Sequence, residues 1–275
     1  AHENPKSNEA GTKYILLGAF ASALLLYGIS MVYGAVVQQG LPGPTTFEAI
    51  ATYIKLTPGL PAVFLVGMAL IIAGLGFKVA AVPFHMWTPD VYEGAPLPVT
   101  AYLAVGSKVA AFALVIRLFA TAFLPAIGEW RLIIAILAAA TMVLGNLAAL
   151  GQHNIKRLLA YSSIGQVGYL LMGVAAMSTA SSNAMILHLV GYGVTNLAAF
   201  VAVIAFYNVT GKEEISDFAG LADRNPFIAM ALTVSLFSLA GLPIFAGFVT
   251  KFYLFLAAAQ ADMLWLVGIA VFASL

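Results

Sequence analysis

The chain has 275 residues, of which 62% are hydrophobic and 8% are charged, and its formal net charge is +1. Since about 25% of the residues in a soluble domain are charged, this composition indicates a multi-pass integral membrane protein in contact with lipid. Clustered Lys and Arg are missing, which excludes nucleic acid as a partner. Cysteine is absent, so the chain cannot hold a disulfide or a cysteine-ligated iron–sulfur cluster.

Apolar runs bounded by turn residues or charges predict seven full membrane spans and one partial span. Helices and closed barrels alone satisfy the backbone in lipid, and the runs lack the alternation of barrel strands. The predicted fold class is therefore an all-α polytopic transmembrane helix bundle, with 1–275 as a single membrane domain and a loop at 208–226. The spans are predicted at 13–38, 60–82, 97–123, 132–151, 157–177, 184–207, 227–259 and, as a stub, from 263.

Both ends of the chain suggest a piece of a longer polytopic protein. The opening AHENPKSNEA is not a signal peptide, and the last apolar run has fewer than the roughly 20 residues that a span needs. Positive loop residues are more numerous on the side of the N-terminus, which predicts that this side is cytoplasmic. We expect a bacterial plasma membrane, with the inner mitochondrial or thylakoid membrane as alternatives.

Two spans contain helix-breaking residues close to a lysine. Discontinuous helices of this kind form ion sites near the midplane of many transporters. The first predicted break involves Gly74, Gly76 and Pro83 near Lys78. The second involves Gly241, Pro243 and Gly247 just before Lys251.

Lys108 lies in the middle of the third predicted span, about 16 Å or more from either end. An ionisable residue at such a depth is usually retained because it faces a polar pathway or a partner. We therefore predict a proton relay formed by Lys78, Lys108 and Lys251. The alternatives are a structural lysine paired with a carboxylate and, for Lys78, a side chain that reaches the near interface.

Four further residues are weaker candidates for the same pathway. His85 belongs either to a solvated turn or to a proton entry route, and His188 is either an interhelical hydrogen-bonding residue or a relay. Tyr161 and Ser162, together with Ser163 and Gln166, either line a hydrated path or join helices. The predicted spans contain no Asp or Glu well inside them, so we expect the counter-charge to come from outside this chain. No metal site is predicted.

Three segments resemble the antiporter-like membrane subunits of proton-pumping NADH:quinone oxidoreductase, respiratory complex I, in particular the subunit N or subunit 2 type. They are FKVAAVPFHMWTPDVYEGAPLPVTAYLAVGSKVAAFALVIRLF, NIKRLLAYSSIGQVGYLLMG and LAGLPIFAGFVTKFYLF. The resemblance covers nearly the whole chain, and VPFHMWTPDVYEGAP is its most specific part. It implies a core of fourteen helices built from two inverted repeats, of which this chain covers the sixth helix to part of the thirteenth.

The resemblance also implies roles for the three lysines. Lys78 looks like the lysine of the first broken helix, Lys108 like the connecting lysine, and Lys251 like the exit-side lysine of the second broken helix. The glutamate that pairs with the first lysine belongs to the fifth helix of the family, before this chain begins. The partners implied are a neighbouring antiporter-like subunit and small membrane subunits of the complex.

The function expected is proton translocation coupled to quinone reduction elsewhere in the complex. The chain lacks a flavin or nicotinamide fingerprint, so no cofactor is expected on it. NAD(P)H or ferredoxin, flavin, iron–sulfur clusters and quinone are expected in the rest of the complex. The alternatives are a subunit of a multi-subunit sodium/proton antiporter or of a membrane-bound hydrogenase, and, in another class, a structural membrane subunit whose lysines serve assembly.

Overall fold

The computed structural model describes residues 5–274, and these residues form twelve α-helices without a β-strand. The helices are α1 (Pro5–Gln38), α2 (Phe47–Leu56), α3 (Ala62–Val79), α4 (Trp87–Gly94), α5 (Leu97–Arg117), α6 (Ile127–Leu150), α7 (Ile155–Ala175), α8 (Thr179–Thr210), α9 (Leu221–Arg224), α10 (Pro226–Ala240), α11 (Ala246–Gln260) and α12 (Leu264–Ser274). The all-α transmembrane class predicted from the apolar runs is confirmed.

Six of the described helices are long and apolar enough to cross a membrane, namely α1, α3, α5, α6, α7 and α8. The seventh predicted span is formed by α10 and α11, which have 15 residues each. Each of them rises about 22 Å, which is less than a bilayer core, so the two together replace one continuous span.

Several predicted boundaries differ from the helix ends. Helix α1 begins at Pro5 rather than at 13, α6 begins at Ile127 rather than at 132, and α8 runs from Thr179 to Thr210 rather than from 184 to 207. Hydropathy marks only the apolar part of a helix, whereas capping sets its ends. At the start of α8, for example, the Ser178 side chain accepts a hydrogen bond from the backbone of Ser181.

Two short helices occupy segments that the sequence analysis treated as connections. Helix α2 starts where the Thr46 hydroxyl accepts a hydrogen bond from the Ala49 backbone, and its Tyr53 ring stacks on Phe64. Helix α4 contains most of the WTPDVYEG turn. The predicted loop at 208–226 begins only after Thr210 and contains a 3₁₀ turn and the short helix α9.

Helix α7 lies at the centre of the bundle. The most apolar 18-residue stretch of α7 is 83% buried, against 17% for that of α1. Polar residues on α7 therefore face other helices and not lipid. This placement brings Ser163, Gln166 and Tyr169 into the interior, where α5, α8 and α11 surround them.

The first helix break lies between α3 and α4 and differs from its prediction. Helix α3 continues through Gly74 and Gly76 and ends at Val79, because Ala80 adopts a left-handed conformation with φ of 66°. A Cβ at Gly74 would lie 2.7 Å from the Leu25 side chain on α1, and a Cβ at Gly76 would lie 2.9 Å from the Phe84 ring. These glycines permit close packing, so predicting a break at them was wrong. Pro83 does lie in the break.

The second break separates α10 from α11 at residues 241–245. Gly241 ends α10 with φ of 90°, a conformation that glycine adopts at little cost, and Pro243 follows it. Gly247, by contrast, is helical and lies in the first turn of α11. A Cβ there would lie 1.7 Å from the Ser238 carbonyl oxygen. Gly247 therefore allows the two half-helices to approach each other and does not break the helix.

Candidate functional site

Two of the three candidate lysines are buried inside the described bundle. Lys108 on α5 is 2% exposed and Lys251 on α11 is 4% exposed. No carboxylate of residues 5–274 forms an ion pair with either ammonium group. A buried cation without such a partner must be stabilised by hydrogen bonds or lose its proton, which makes both lysines candidates for proton exchange.

Lys108 begins a chain of polar side chains that leads from α5 to α8. Its Nζ donates a hydrogen bond to Ser163 Oγ on α7 and lies 5.9 Å from the centre of the Tyr92 ring. Ser163 Oγ lies 2.7 Å from Tyr192 Oη, which donates to the Ala104 carbonyl oxygen at 2.9 Å. The arrangement gives Lys108 a polar contact in a region otherwise filled by apolar side chains.

Lys251 occupies the second helix break. Its Nζ donates to the carbonyl oxygens of Leu239 (3.0 Å) and Ala240 (2.9 Å), which end α10. The last carbonyls of a helix lack helical partners and carry the negative end of the helix dipole, so an ammonium group fits there. Its Nζ also lies 4.6 Å from the centre of the Tyr169 ring. Gln166 donates to the same Leu239 oxygen at 2.8 Å.

A narrow cavity of about 10 Å³ lies between the polar residues around Lys108 and those around Lys251. It is lined by Tyr192 from the Lys108 side and by Gln166 and Leu239 from the Lys251 side. His188 also lines it, with Nδ1 2.9 Å from Thr250 Oγ1. Because α8 begins earlier than predicted, His188 lies deeper than the sequence suggested and is only 2% exposed.

Lys78 is not part of this buried cluster. Its side chain is exposed in a groove of about 730 Å³ formed by α1, α3 and α5, and its Nζ lies 3.3 Å from Tyr14 Oη. Among residues 5–274, no hydrogen bond joins Lys78 to Lys108. In the part of the chain that the structure describes, the predicted relay therefore lacks a direct link to Lys78, whose exposed side chain differs from the buried ones of Lys108 and Lys251.

The weaker candidates are scattered. His85 lies in the first break, partly buried, and burial lowers its pKa. Tyr161 packs against apolar neighbours, whereas Ser162 lines a groove that also reaches Lys251. Ser163, and not Ser162, contacts Lys108, because successive residues on a helix point about 100° apart.

Ion pairs on the side of the N-terminus hold α4 in place. The Arg157 guanidinium bonds Asp90 at 3.0 Å and Glu93 at 2.9 Å, and Lys13 pairs with Asp90 at 2.6 Å. Burial alone would raise the pKa of both carboxyls. For each of them, hydrogen bonds from Arg157 and a lysine outweigh it, so both pKa values lie below their usual range.

Sequence reasoning missed three polar residues of the interior. Lys156, at the start of α7, is 5% exposed, pairs with Glu213 at 2.8 Å and donates to the Glu93 carbonyl. Tyr192 and Asn196 lie one turn apart on α8 and hydrogen-bond at 3.2 Å. Their spacing of four was the available signal, but apolar residues of the same spacing surround them.

The described site consists of groups that can exchange protons, without a set of metal ligands. Among the described residues, no group of three His, Cys, Asp or Glu side chains could hold a metal ion. What α5, α7, α8, α10 and α11 bring together is two lysines, hydroxyl groups, a histidine and the backbone carbonyls at the end of α10. The lysines, the hydroxyl groups and the histidine can hold a proton and pass it on, and the carbonyls can accept a hydrogen bond from a lysine.

The chain is similar to known proteins over nearly its whole length. Residues 1–275 match a family model described as NADH:quinone oxidoreductase/Mrp antiporter, transmembrane. NADH-quinone oxidoreductase subunit N 1 of Rhizobium meliloti is 47% identical over 274 residues, which cover 99% of this chain and 56% of the relative. NAD(P)H-quinone oxidoreductase subunit 2 of Rippkaea orientalis is 48% identical over 265 residues, which cover 96% of this chain and 50% of the relative.

Solved structures agree as well. A chain of the Mrp complex from Dietzia superposes with a TM-score of 0.88 at 28% identity, over 98% of this chain and 49% of that chain. A chain of respiratory complex I from Thermus thermophilus with bound aureothin superposes with a TM-score of 0.76 at 36% identity, over 97% of this chain and 56% of that chain. The chain spans about half the length of the relatives it matches. It belongs to the NADH:quinone oxidoreductase/Mrp antiporter family of transmembrane proteins.

Proposed function

We propose that this chain is part of a proton-translocating membrane subunit, of the subunit N type, in a NADH-, NADPH- or ferredoxin-dependent quinone oxidoreductase. The observation that carries the proposal is the pair Lys108 and Lys251, buried in the bundle without a carboxylate partner among the described residues. Lysines buried within membrane-spanning helices are too costly to be retained without a use. Proton transfer is the use that best fits two such lysines with polar side chains and a small cavity between them.

The proposed step is a change of charge on each lysine in turn. Burial disfavours an ammonium group, whereas a nearby negative group favours it, so moving a counter-charge makes a lysine take up or release its proton. Lys108 passes its proton towards the helix break. Lys251 then holds the charge against the two free carbonyls of α10 until it is released on the opposite side of the membrane.

Lys78 enters the proposal as the point of loading. It faces the groove between α1, α3 and α5, where a carboxylate from outside residues 5–274 can approach its Nζ. Tyr14 holds the ammonium group at the mouth of that groove. Transfer from Lys78 to Lys108 then requires water molecules, because these residues share no direct hydrogen bond in the described part of the chain.

The proposal assigns the remaining chemistry to other subunits. NAD(P)H or ferredoxin, flavin, iron–sulfur clusters and quinone belong to the rest of the complex, whose membrane subunits and lipid are the partners of this chain. The side that contains the ion pairs of α4 is assigned to the cytoplasm of a bacterium or to the equivalent compartment, in line with its excess of positive loop residues.

The test is proton pumping by the assembled complex in sealed vesicles that contain a pH-sensitive dye. Lys108→Ala should remove proton uptake while quinone reduction in the presence of an uncoupler continues. Lys55→Ala, at an exposed position on α2, is the matched control and should pump normally. Normal pumping by the Lys108→Ala complex would refute the proposed relay.

A second candidate is a subunit of a sodium/proton antiporter. It is favoured by the higher TM-score to the Mrp complex, 0.88 against 0.76 for complex I. Sequence identity favours the oxidoreductase, because the values are 28% and 36% respectively. Purification of this chain with a quinone-reducing arm supports the first candidate, and sodium-dependent proton flux without such an arm supports the second.

A further inference from the structure

The hydrogen bonds around Tyr192 have a fixed direction, and that direction decides whether Lys108 is connected to the rest of the pathway. An ammonium group has donors only, so Ser163 Oγ accepts from Lys108. A carbonyl accepts only, so the single hydroxyl proton of Tyr192 goes to the Ala104 oxygen. Ser163 must therefore donate its own proton to Tyr192 across the 2.7 Å contact.

These bonds use the full capacity of the Tyr192 hydroxyl. A phenol oxygen has one donor and two acceptor positions. Ser163 and Asn196 fill both acceptor positions, and Ala104 takes the donor. The chain of donors that starts at Lys108 thus ends at a backbone carbonyl, which cannot pass a proton on.

The same reasoning shows that His188, unlike Tyr192, has a free acceptor. The Thr250 hydroxyl donates to the Gly247 carbonyl at 3.1 Å, so it accepts from His188, and Nδ1 carries the ring proton. In a neutral imidazole the other nitrogen is then an acceptor. His188 Nε2 is buried and has no hydrogen-bond partner among the described residues. The cavity that His188 lines is also lined by Tyr192.

We propose that the Tyr192 hydroxyl is the gate between Lys108 and the Lys251 branch, and that the cavity binds one water molecule as the bridge. The inference rests on the proposed proton function. While the hydroxyl donates to the Ala104 carbonyl, the gate is closed. When the hydroxyl turns into the cavity, it donates to the water, which donates to His188 Nε2. A cavity of about 10 Å³ is about the size that holds a single water molecule.

When the gate opens, one positive charge moves from Lys108 to His188, and the groups between them keep their charge. Lys108 gives a proton to Ser163 as Ser163 gives its own to Tyr192. Tyr192 gives its proton to the water, and the water gives one to His188. Lys108 ends neutral and His188 ends as an imidazolium, bonded to Thr250 beside Lys251 on α11. Asn196 keeps the phenol oxygen in place through its hydrogen bond.

The test uses the assembled complex with Tyr192→Phe. This variant keeps the ring and removes the hydroxyl group that would pass the proton. Proton pumping should fall by at least about tenfold, a barrier change of about 1.4 kcal/mol, while uncoupled quinone reduction is retained. Tyr53→Phe, at another buried tyrosine on α2, is the control and should pump normally. Normal pumping by Tyr192→Phe alongside a loss in Lys108→Ala overturns the gate and leaves the proposed function intact. Normal pumping by both overturns both.

A second variant separates gating from a merely structural role. Replacing Tyr192 by 3,5-difluorotyrosine keeps the hydroxyl and nearly the same shape but makes the phenol more acidic. Because this phenol loses its proton at a lower pH and a phenolate cannot donate to the water, the loss of pumping at alkaline pH should shift to lower pH. The same replacement at Tyr53 should not move it. An unshifted profile at Tyr192 overturns the gate, even if Tyr192→Phe prevents assembly.

Discussion

The two helix breaks look alike in sequence but use their lysines differently. In each, a residue in the left-handed conformation ends the first half-helix, Ala80 in one and Gly241 in the other. Lys251 follows its break and reaches back to the free carbonyls of α10, whereas Lys78 precedes its break and points outward to Tyr14. Of these two lysines, only the one that follows its break bonds the end of the preceding half-helix.

The carbonyl end of α3 is satisfied without a lysine. Trp87 Nε1 donates to the Phe77 oxygen at 2.9 Å, and the Ala81 backbone donates to the Gly76 oxygen at 2.8 Å. The end of α3 therefore does not need a hydrogen bond from Lys78. The groove that holds Lys78 is open to groups from outside the described residues, whereas the surroundings of Lys251 are built by this chain.

The largest expected effect that separates the breaks comes from Gly247→Ala. A Cβ there meets the Ser238 backbone oxygen at 1.7 Å, which cannot move aside, so we expect a loss of about 3 kcal/mol or more in stability. Gly76→Ala meets the Phe84 ring at 2.9 Å, which can turn, and should cost about 1 kcal/mol. Thermal unfolding of the assembled complex measures both. Equal losses would contradict the packing described for the second break.

Lys251→Ala should affect stability and pumping together. It removes the donor to the Ala240 carbonyl, which costs about 1–3 kcal/mol for a buried polar group, whereas the Leu239 carbonyl keeps its bond from Gln166. Lys78→Ala should cost less than about 0.5 kcal/mol, because that side chain is exposed. Both variants should lose proton pumping in vesicles. If Lys78→Ala were the less stable of the two, the contrast between the breaks would be wrong.

Lys78→Arg tests whether the exposed lysine carries a proton or supplies only a charge. A guanidinium keeps the positive charge and fits an exposed site but does not deprotonate in proteins. We therefore expect assembly with stability within about 0.5 kcal/mol of the original and loss of pumping. Normal pumping by the Arg variant would show that Lys78 acts through its charge alone.

Acid should loosen the first break before the second, with the smallest effect of this series. The pKa values of Asp90 and Glu93 are lowered by folding, so their contribution is present above the unfolded values, about 4, and is lost as the pH falls further. The pairs are partly exposed, and each is worth about 1 kcal/mol or less.

Trp87 on α4 reports this change. The emission that Trp87 contributes, obtained as the difference between the complex and a complex with Trp87→Phe, should shift between about pH 4 and pH 3. A double variant with Asp90→Asn and Glu93→Gln removes the titrating groups and serves as the control. The same shift in the double variant would rule out these carboxylates as its cause.

Much of the architecture could be predicted from local composition. The apolar runs predicted the helical membrane class, because a bilayer leaves the backbone few other choices. Gly241 and Pro243 marked the second break because glycine and proline act on their own backbone, whatever surrounds them. Gly74, Gly76 and Gly247 were misassigned, because a glycine needed for close packing has the same letter as one that breaks a helix.

The sequence by itself determined that lysines lie within membrane-length apolar segments, and for Lys108 the distance to either helix end made burial unavoidable. Only the tertiary structure decided which neighbours those lysines meet. The choice of Ser163 over Ser162, the bond from Tyr192 to Ala104, the outward direction of Lys78 and the burial of Lys156 all depend on how helices rotate and pack against one another. Hydropathy is nearly uniform around these helices, so no periodic pattern in the sequence specified that rotation.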